Sequence, residues 1–436
     1  MDPILVGALG VGGLVTLAAV GVPIAVAIAV VAAAGMWQFV GFGYMVVTFK
    51  TLPFAAASQY AFVVIPMFVL MGTLASSAGM IAELYTAANR WMAGLRGGLY
   101  MATTLASAGF SAISGSTVVN AAMFTRIALP EMIRFGYDRG VSAGCVAAAG
   151  TLAALIPPSL SFVIYGLLTE ESIGALFMAG IVPGLLTAVF YIVGIAVLLR
   201  FRPQLAPPTE IRYRLREKLQ SLTGLWPLII LVVLVLGGIY SGFMPPSAAG
   251  AVGAMGALAI ALARRKLSAT GLWTALQRTA AMTSVLFLIV IGGLLFTRFL
   301  LVTGFVTSLT EAVAASGLSP FQFVAVLVVM YFFLGMFIDP MSMLVMTVPF
   351  VYPVVKSLGL DPIWFGVIVV KLIEIAVITP PVGMNLFAVM SASGGQVAAG
   401  EVFRGILPFV LIEIFVLIVL VAFPSLSTWL PMRMMG

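Results

Sequence analysis

The chain has 436 residues, of which 62% are hydrophobic and only 8% are charged, with a mean hydropathy of +1.21. So few charged side chains cannot cover the surface of a water-soluble protein of this length, which excludes the soluble classes and predicts a protein embedded in lipid. The chain has no histidine, one cysteine and no G-x-x-x-x-G-K-[ST] loop, which excludes imidazole metal sites, an internal disulfide and P-loop binding of ATP.

Apolar runs in chain order predict the membrane segments, since a bilayer core of about 30 Å needs about 20 apolar helical residues. The runs cover residues 4–20, 22–47, 54–76, 99–128, 141–168, 173–199, 225–241, 246–263, 279–302, 320–350, 363–390 and 405–424. Polar or proline-rich interruptions, Ser114-Gly115-Ser116-Thr117 and Asp339-Pro340-Met341-Ser342, divide the runs 99–128 and 320–350. We predict that these two are re-entrant hairpins and that ten crossings remain. One long bent helix over 4–47 is the alternative to two spans there.

The basic residues test this scheme and predict the orientation. If the polar linker 200–224 is cytoplasmic, 16 of the 21 Lys and Arg residues lie on that side, three on the other side and two inside apolar runs. Such an excess is typical of cytoplasmic loops, so the net charge of +7 indicates orientation rather than nucleic-acid binding. Both termini are then predicted opposite the linker. The start lacks a basic region, so no cleavable signal peptide is expected.

An offset of 223 residues aligns the two halves without a gap. It brings Pro23 onto Pro246, Pro130 onto Pro353, Gly136 onto Gly359, Asp138 onto Asp361 and Pro157-Pro158 onto Pro380-Pro381. Five such features in one register predict an internal duplication, and five crossings per half invert the second copy. We therefore predict an all-α polytopic membrane protein with inverted repeats. The first predicted repeat is residues 1–199, with a hairpin at 99–128 and a broken helix at 141–168. The cytoplasmic linker is residues 200–224. The second predicted repeat is residues 225–436, with a hairpin at 320–350 and a broken helix at 363–390.

Interruptions of helix are the candidate sites, because non-helical backbone at membrane depth leaves polar groups unpaired unless it lines a cavity or binds something. The two hairpin tips and the double-proline breaks at Pro157-Pro158 and Pro380-Pro381 are such interruptions. Carbonyl, hydroxyl, carboxylate and amide oxygens suit a small hard cation such as sodium, and a half-helix N-terminus suits an anionic substrate. A simple kink is the alternative for one double proline, but two copies in register favour sites.

Several long motifs resemble those of a known family. They are Ser114-Gly115-Ser116-Thr117, Leu129-Pro130-Glu131-Met132, Gly136-Tyr137-Asp138, Ala148-Ala149-Gly150-Thr151 and Ile156-Pro157-Pro158-Ser159, with Gly21-Val22-Pro23-Ile24-Ala25 before them and Ile378-Thr379-Pro380-Pro381-Val382-Gly383 after them. Over nearly the whole chain these resemble the large membrane subunit of the TRAP (tripartite ATP-independent periplasmic) transporters. The resemblance implies an elevator-type transporter similar to the ion-transporter superfamily. Such a transporter imports small organic acids by sodium symport and does not use ATP. We therefore expect a protein of the bacterial inner membrane, with both termini in the periplasm.

The resemblance also implies partners and ion sites. The implied partners are a periplasmic substrate-binding protein and a small four-helix membrane subunit, which we expect to be separate because no extra helices precede residue 4. Carried onto this sequence, the first sodium site falls at Ser114, Gly115, Ser116 and Thr117 with Thr151, Ile156 and Pro157. The second falls at Asp339, Pro340 and Ser342 with Thr379, Pro380, Gly383 and Asn385.

Charged residues inside apolar runs need a partner or a cavity. Lys371 and Glu374 are three residues apart, a spacing that favours an ion pair over a substrate role. Arg298 is a candidate counter-ion for a substrate carboxylate, with pairing or snorkelling as the alternative, and Asn120 and Ser159 are further candidate substrate contacts. Glu413 lies outside the repeated motifs, so we expect it to contact a neighbouring helix or the partner subunit.

The leading hypothesis is a sodium-coupled transporter of a small carboxylate. A proton-coupled porter that uses Asp339 or Glu374 is the main alternative. An intramembrane aspartyl enzyme is disfavoured, because only one aspartate, Asp339, lies at depth. A channel fits less well, because paired hairpins and broken helices suit alternating access better than a continuous pore. No residue distinguishes one organic acid from another.

Overall fold

The computed structural model describes residues 2–208, 211–335 and 337–435, and within these ranges it is helical and contains no strand. The helices of the first half are α1 (Pro3–Ala19), α2 (Ile24–Phe39), α3 (Phe42–Ala57), α4 (Val64–Ser77), α5 (Met80–Met92), α6 (Gly98–Ser114), α7 (Thr117–Arg134), α8 (Arg139–Leu155), α9 (Leu160–Thr169) and α10 (Ile173–Phe201). The remaining helices are α11 (Leu215–Leu222), α12 (Trp226–Val232), α13 (Gly238–Tyr240), α14 (Pro246–Ala263), α15 (Ala269–Val302), α16 (Phe305–Ala315), α17 (Pro320–Leu334), α18 (Pro340–Ser357), α19 (Pro362–Val377), α20 (Met384–Ala392), α21 (Ala399–Ala422) and α22 (Ser425–Met435). The predicted all-α polytopic class is confirmed.

Within the described ranges, six helical stretches are long and apolar enough to cross a bilayer, and α8 with α9, bent by 40°, makes a seventh. These seven correspond to predicted crossings. The other three predicted crossings, 4–20, 22–47 and 363–390, are built from helices of 17 residues or fewer. A helix of 17 residues rises only about 25 Å, so each of these would cross the membrane only together with the chain that flanks it.

The predicted continuous run 22–47 is wrong, because the structure divides it into α2 and α3. Gly41 separates them with a φ of +118°, a backbone conformation that side-chain-bearing residues rarely adopt. The break at the start of this region is as expected, with α1 and α2 separated at Gly21 and Pro23. The alternative of one long helix over 4–47 is therefore wrong as well.

Four short helices of the described chain, α5, α11, α16 and α22, lie outside the predicted apolar runs. Helix α5 is amphipathic, and it buries residues such as Ile81 and Leu84 on one face while Glu83 and Arg90 lie at its polar side. An amphipathic pattern of this length does not produce an apolar run, so a search for spanning segments passes over it.

Helices α8 and α19 form the centre of the molecule. Nearly every residue of α8 from Gly140 to Leu155, and of α19 from Trp364 to Val377, is buried. Helices α6, α7, α10, α20 and α21 pack around α8, and α10, α17, α18 and α21 pack around α19. Helices that are apolar on nearly all sides are stable in a protein core or in lipid, and α8 and α19 are in the core.

A second group of helices packs separately along the outside of this core. Helix α4 lies against α14, α2 lies against α15, and α4 also contacts α15. This outer group meets the central one where α15 packs on α18 and where α4 packs on α6. The contact at α4 is close, because a Cβ added to Gly72 would lie 3.2 Å from the carbonyl oxygen of Ile113, next to the first interruption.

The half-helix that follows each double-proline break packs against the opposite half of the chain. Helix α9 lies along α18, and α20 lies along α7 and α8. In each case one partner is the second arm of an interrupted segment from the other half, namely α18 for α9 and α7 for α20.

Candidate functional site

The first interruption lies directly on the first double-proline break. Helix α6 ends at Gly115, whose φ of +61° stops the helix, and Ser116 is extended before α7 begins. The carbonyl oxygen of Gly115 accepts a hydrogen bond from the amide of Leu160, at 3.3 Å. A Cβ at Gly115 would lie 2.8 Å from the carbonyl oxygen of Pro158, so only glycine permits this approach. The structure thus brings residues 114–117 together with residues 156–160.

The predicted ligands of the first ion site have different surroundings. Ser114 and Thr117 are buried, and the Ser114 hydroxyl has no hydrogen-bond partner within the described residues. Pro157 is buried and Ile156 is half-buried beside Gly184 of α10. The Thr151 hydroxyl donates to the carbonyl oxygen of Ala148, at 2.7 Å, on the side of α8 that faces Tyr191.

Ser159 and Asn120, the two polar candidates for substrate contact in this region, form hydrogen bonds within the protein. Ser159 caps the start of α9, because its hydroxyl oxygen accepts from the amide of Phe162. The O–H of the same residue donates to the carbonyl oxygen of Ala154. Asn120 is fully buried, and its amide nitrogen donates to the hydroxyls of Ser107 and Ser111, each at 3.0 Å. Its side-chain carbonyl oxygen has no partner among the described residues.

Asp339 caps the start of α18, the helix that follows the second interruption. One carboxylate oxygen accepts from the amides of Met341 and Ser342, at 3.1 and 3.0 Å, and the other accepts from the Ser342 hydroxyl at 2.5 Å. An acidic N-cap stabilises a helix start through these bonds and through the helix dipole. Pro340, the first residue of α18, suits that position because it lacks the amide that would stay unpaired.

The second double-proline break lies close to the end of α17. A Cβ at Gly335 would lie 2.4 Å from the Cβ of Ala376, just before the break. Beyond it, Gly383 has a φ of +55° and starts α20. Thr379 donates to the carbonyl of Ile375, at 2.6 Å. In the described part of the chain, no hydrogen bond joins Asp339 or Ser342 to the residues of this break that were predicted as ligands, namely Thr379, Pro380, Gly383 and Asn385.

Asn385 of α20 packs against α8. Its side chain is fully buried, and its amide nitrogen donates to the carbonyl oxygen of Ala147 at 3.2 Å. Its side-chain oxygen has no partner among the described residues. A buried amide oxygen without a partner is costly, so a ligand that donates a hydrogen bond or is positively charged would stabilise this position.

A cavity of about 330 Å³ opens beside the first interruption. Its polar lining comes from Thr73, Ser76 and Ser77 of α4, Ser114 and Ser116 at the interruption, Arg126 of α7 and Arg278 of α15. The walls thus come from both the central and the outer group of helices. Both arginines are exposed, and neither has an acidic partner within the described residues.

The sequence signals for this cavity were incomplete. Arg126 and Arg278 were assigned only to the charge of cytoplasmic loops, and the predicted span 279–302 began one residue after Arg278. The structure starts α15 at Ala269, with Ser268 as the capping residue that accepts from the amide of Gly271 at 3.0 Å. That serine was the available signal, because serine before a helical pattern is a preferred N-cap.

Arg298 is not brought to this cavity. It is exposed on α15, where its Nε donates to the hydroxyl of Tyr44 at 2.7 Å and its guanidinium lies 5.9 Å from the centre of that ring. This geometry matches the pairing alternative, and a role of Arg298 at the substrate stays a prediction.

Lys371, Glu374 and Glu413 form one buried cluster of charges between α10, α19 and α21. Lys371 lies 2.9 Å from a carboxylate oxygen of Glu374, pairs with Glu413, and donates to the Thr187 hydroxyl at 3.1 Å. The predicted Lys371–Glu374 pair is confirmed. Glu413 also accepts from the hydroxyl of Tyr191, which confirms its expected contact with a neighbouring helix. All three charged side chains are fully enclosed.

No group of three or more Cys, Asp or Glu residues that could hold a metal occurs in the part of the chain that the structure describes. Any cation bound at the interruptions would therefore depend mainly on carbonyl, hydroxyl and amide oxygens, with Asp339 supplying a carboxylate at the second one. Such ligands suit a weakly held alkali cation better than a transition metal.

The comparison with protein families decides the class of this chain. Residues 11–426 match the model for the tripartite ATP-independent periplasmic transporter, DctM component. The chain belongs to the DctM family. Members of this family are transport proteins and not enzymes, so the resemblance noted in the sequence is confirmed at the family level.

Known members of the DctM family align over almost their full length. The C4-dicarboxylate TRAP transporter large permease protein DctM of Pseudomonas aeruginosa is 36% identical over 380 residues, which cover 87% of this chain and 88% of that protein. The sialic acid TRAP transporter large permease protein SiaM of Vibrio cholerae is 30% identical, covering 91% and 94%. The large-permease assignment of this DctM-family chain therefore rests on whole-chain similarity.

A solved structure supports the fold of the DctM-family chain. The YdaH transporter of Alcanivorax borkumensis superimposes with a TM-score of 0.64 at 15% identity, and the match covers 91% of each chain. At this identity the likeness concerns the fold alone.

Proposed function

We propose that this chain is the membrane subunit of a sodium-coupled importer of a small organic acid. The observation that carries the proposal is the cavity beside the first interruption, where the unpartnered Ser114 hydroxyl and two unpaired arginines, Arg126 and Arg278, line the same space. Guanidinium groups hold carboxylates with two parallel hydrogen bonds, and neighbouring hydroxyls complete such a site. The relatives' names, C4-dicarboxylate and sialic acid, both denote organic acids.

Sodium as the coupling ion is supported by buried oxygens without partners. The Ser114 hydroxyl lies at the first proposed site and the Asn385 side-chain oxygen belongs to the second. Sodium would be held at the first site by residues 114–117 with Thr151, Ile156 and Pro157. It would be held at the second by Asp339, Pro340 and Ser342 with Thr379, Pro380, Gly383 and Asn385. The bound cation would supply positive charge next to an anionic substrate.

An elevator movement of inverted repeats is the proposed mechanism. Its support is the correspondence of helix bounds at an offset of 223 residues, which relates α2 to α14, α7 to α18 and α8 to α19. The reciprocal packing of α9 on α18 and of α20 on α7 has the same symmetry. In this proposal α6 to α9 and α17 to α20 move as one body past α2, α4, α14 and α15, and the cavity at their boundary is the substrate site.

The proposed assembly includes two partners. Family membership implies a small membrane subunit and a periplasmic substrate-binding protein, and a multi-pass inner-membrane location. We propose in addition that both termini are periplasmic and that the linker 200–224 is cytoplasmic, as the distribution of basic residues indicates.

Binding of radioactive sodium to the purified chain tests the ion site without requiring the substrate. We expect saturable binding that unlabelled sodium displaces and potassium does not. Ser114→Ala and Asn385→Ala should each weaken it about tenfold, because each removes one ligand oxygen. Ser58→Ala is the matched control, since that exposed serine bonds only to its own helix. The absence of saturable sodium binding would overturn sodium coupling and favour the proton-coupled alternative.

Crosslinking tests the movement. Ala122 of α7 and Ala281 of α15 face the same cavity from the two groups of helices. In Ala122→Cys/Ala281→Cys, a short bifunctional thiol reagent should stop uptake, and each single variant treated in the same way should remain active. Normal uptake by the fully crosslinked protein would refute the proposed movement.

A further inference from the structure

Residues 212–222, which we call the basic segment, carry an apolar stripe that the described chain covers only in part. The segment contains α11, in which no residue is buried. Leu215, Leu219 and Leu222 are 66%, 51% and 39% exposed. Spacings of four and three residues place the three leucines on one face of the helix. An exposed apolar face of this kind indicates contact with a membrane or another protein.

Cationic side chains flank the stripe. Arg212, Arg214 and Arg216 are exposed, and among the described residues no acidic side chain pairs with them. The whole linker 200–224 contains six basic and two acidic residues. A positively charged helix with one apolar face is typical of a segment lying at the surface of an anionic membrane.

The contact of the basic segment with α5 lies at a boundary between polar and apolar surroundings. The Trp91 Nε1 donates to the carbonyl oxygen of Lys218 at 3.2 Å, and the Lys218 Nζ donates to the carbonyl oxygen of Trp91 at 3.4 Å. An open cleft of about 580 Å³ beside this contact includes Arg90, Lys266 and Thr223 in its lining. A second cleft, of about 240 Å³, is lined only by apolar residues, including Leu84 and Leu225.

The position of the basic segment relative to the membrane favours lipid over a soluble protein as the contact of its leucine stripe. Helix α11 continues into an apolar stretch that the structure carries to Tyr240 and that is long enough to span a bilayer. Trp91 and Trp226 are 37% and 44% exposed at the start of that stretch. Tryptophan favours the interface between headgroups and acyl chains. The leucine stripe therefore begins at headgroup depth, where a soluble partner would have to displace lipid.

We propose that the basic segment binds the headgroups of anionic phospholipids, with Arg212, Arg214 and Arg216 contacting phosphate oxygens and the leucines contacting acyl chains. This binding is independent of the sodium and substrate sites. It anchors α5 and the linker to the cytoplasmic leaflet.

Retention of lipid by the purified full chain tests the proposal. The chain is equilibrated in micelles with an equimolar mixture of phosphatidylglycerol and phosphatidylcholine, and the retained lipids are counted by native mass spectrometry. We expect preferential retention of phosphatidylglycerol, reduced about tenfold in Arg212→Gln/Arg214→Gln/Arg216→Gln and reduced by added salt, because surface electrostatics are screened.

Two further variants separate lipid binding from folding and from general charge. Arg212→Lys/Arg214→Lys/Arg216→Lys keeps the charge and should keep phosphatidylglycerol. Lys50→Gln/Lys356→Gln/Arg433→Gln removes three exposed charges from the opposite predicted side and should also keep it. Equal retention of the two lipids by the unmodified chain would overturn the proposal. Equal loss in the opposite-side variant, or undiminished retention in the glutamine variant of the basic segment, would do so too.

Discussion

At the scale of single residues, Arg278 and Arg298 make a matched pair on one helix. Both are exposed arginines of α15, but Arg278 lines the cavity and is unpaired among the described residues, whereas Arg298 is bonded to Tyr44. If the cavity holds the substrate carboxylate, Arg278→Gln should raise the KM for uptake about tenfold or more, because a charged hydrogen bond is lost.

The control for this prediction is Arg298→Gln, which should leave the KM unchanged. Arg278→Lys should recover part of the affinity, since the charge remains while the two-pronged geometry is lost. Uptake kinetics in vesicles measure both. A larger effect of Arg298→Gln than of Arg278→Gln would place the substrate elsewhere.

The buried charge cluster gives a second prediction at this scale. Among the residues that the structure describes, Lys371 is the one cation in contact with the enclosed carboxylates of Glu374 and Glu413. Lys371→Met should destabilise the protein by about 3–5 kcal/mol, because it leaves uncompensated buried charge.

A triple variant tests the cause of that loss. Lys371→Met/Glu374→Gln/Glu413→Gln removes all three charges and should recover much of the lost stability, as measured by thermal unfolding in detergent. If the triple variant is less stable than the single one, the cluster contributes through its specific hydrogen bonds rather than through charge balance.

At the scale of helices, the crossing of α8 and α21 depends on glycine. A Cβ added to Gly405 would lie 2.0 Å from the backbone of Gly140, so the two helices touch through their main chains. Gly405→Ala should force them apart and cost about 1–3 kcal/mol. Gly400→Ala on the same helix meets nothing within 4 Å and is the control. Equal melting temperatures for the two variants would contradict this contact.

Helix α5 is tied to the turn between α14 and α15 by Glu83. Its carboxylate pairs with Arg264 at 2.5 Å and with Lys266 at 2.6 Å. Partial burial opposes ionisation of Glu83, but the two cations outweigh it and lower the pKa of its carboxyl below the ordinary value of 4.5. A lowered pKa in the folded state means that this stabilisation is complete above pH 4.5 and is lost only as the pH falls below it.

Hydrogen exchange of the α5 amides measures this tie. Protection of residues 80–92 should be constant from neutral pH down to about the ordinary carboxyl value, once intrinsic exchange is corrected for. It should decrease at lower pH. Glu83→Gln should show the decreased protection already at neutral pH. If protection is lost at a pH well above the ordinary carboxyl pKa, a group other than Glu83 holds α5 in place.

The helix breaks were predictable from sequence because their signals are local. Gly115 stops α6 and the two double prolines end α8 and α19, and each residue type acts within one or two positions. The separation of α2 from α3 was missed, since Gly41 stands among apolar residues and only its backbone conformation distinguishes it. Lengths of apolar runs do not carry that information.

At the scale of the whole molecule, the cavity could not be predicted from sequence. Ser114 was a candidate because it lies in an interruption, but Ser76 and Arg278 join it only because α4 packs against α6 from the outside and α15 packs against α4. Contacts between distant helices depend on packing of side chains, which no local motif specifies. The family motifs predicted ion sites at the helix breaks. The packing shows which residues of the outer helices line the cavity beside the first interruption.

Uptake by the reconstituted transporter tests the central claim most directly. The chain, its small subunit and its binding protein are placed in vesicles, and import of labelled succinate, or of the acid that the binding protein prefers, is followed with opposing sodium and pH gradients. The account predicts uptake that follows the inward sodium gradient whatever the direction of the pH gradient, and that needs about tenfold more sodium for half-maximal uptake in Ser114→Ala. Uptake that follows the proton gradient and ignores sodium would contradict it.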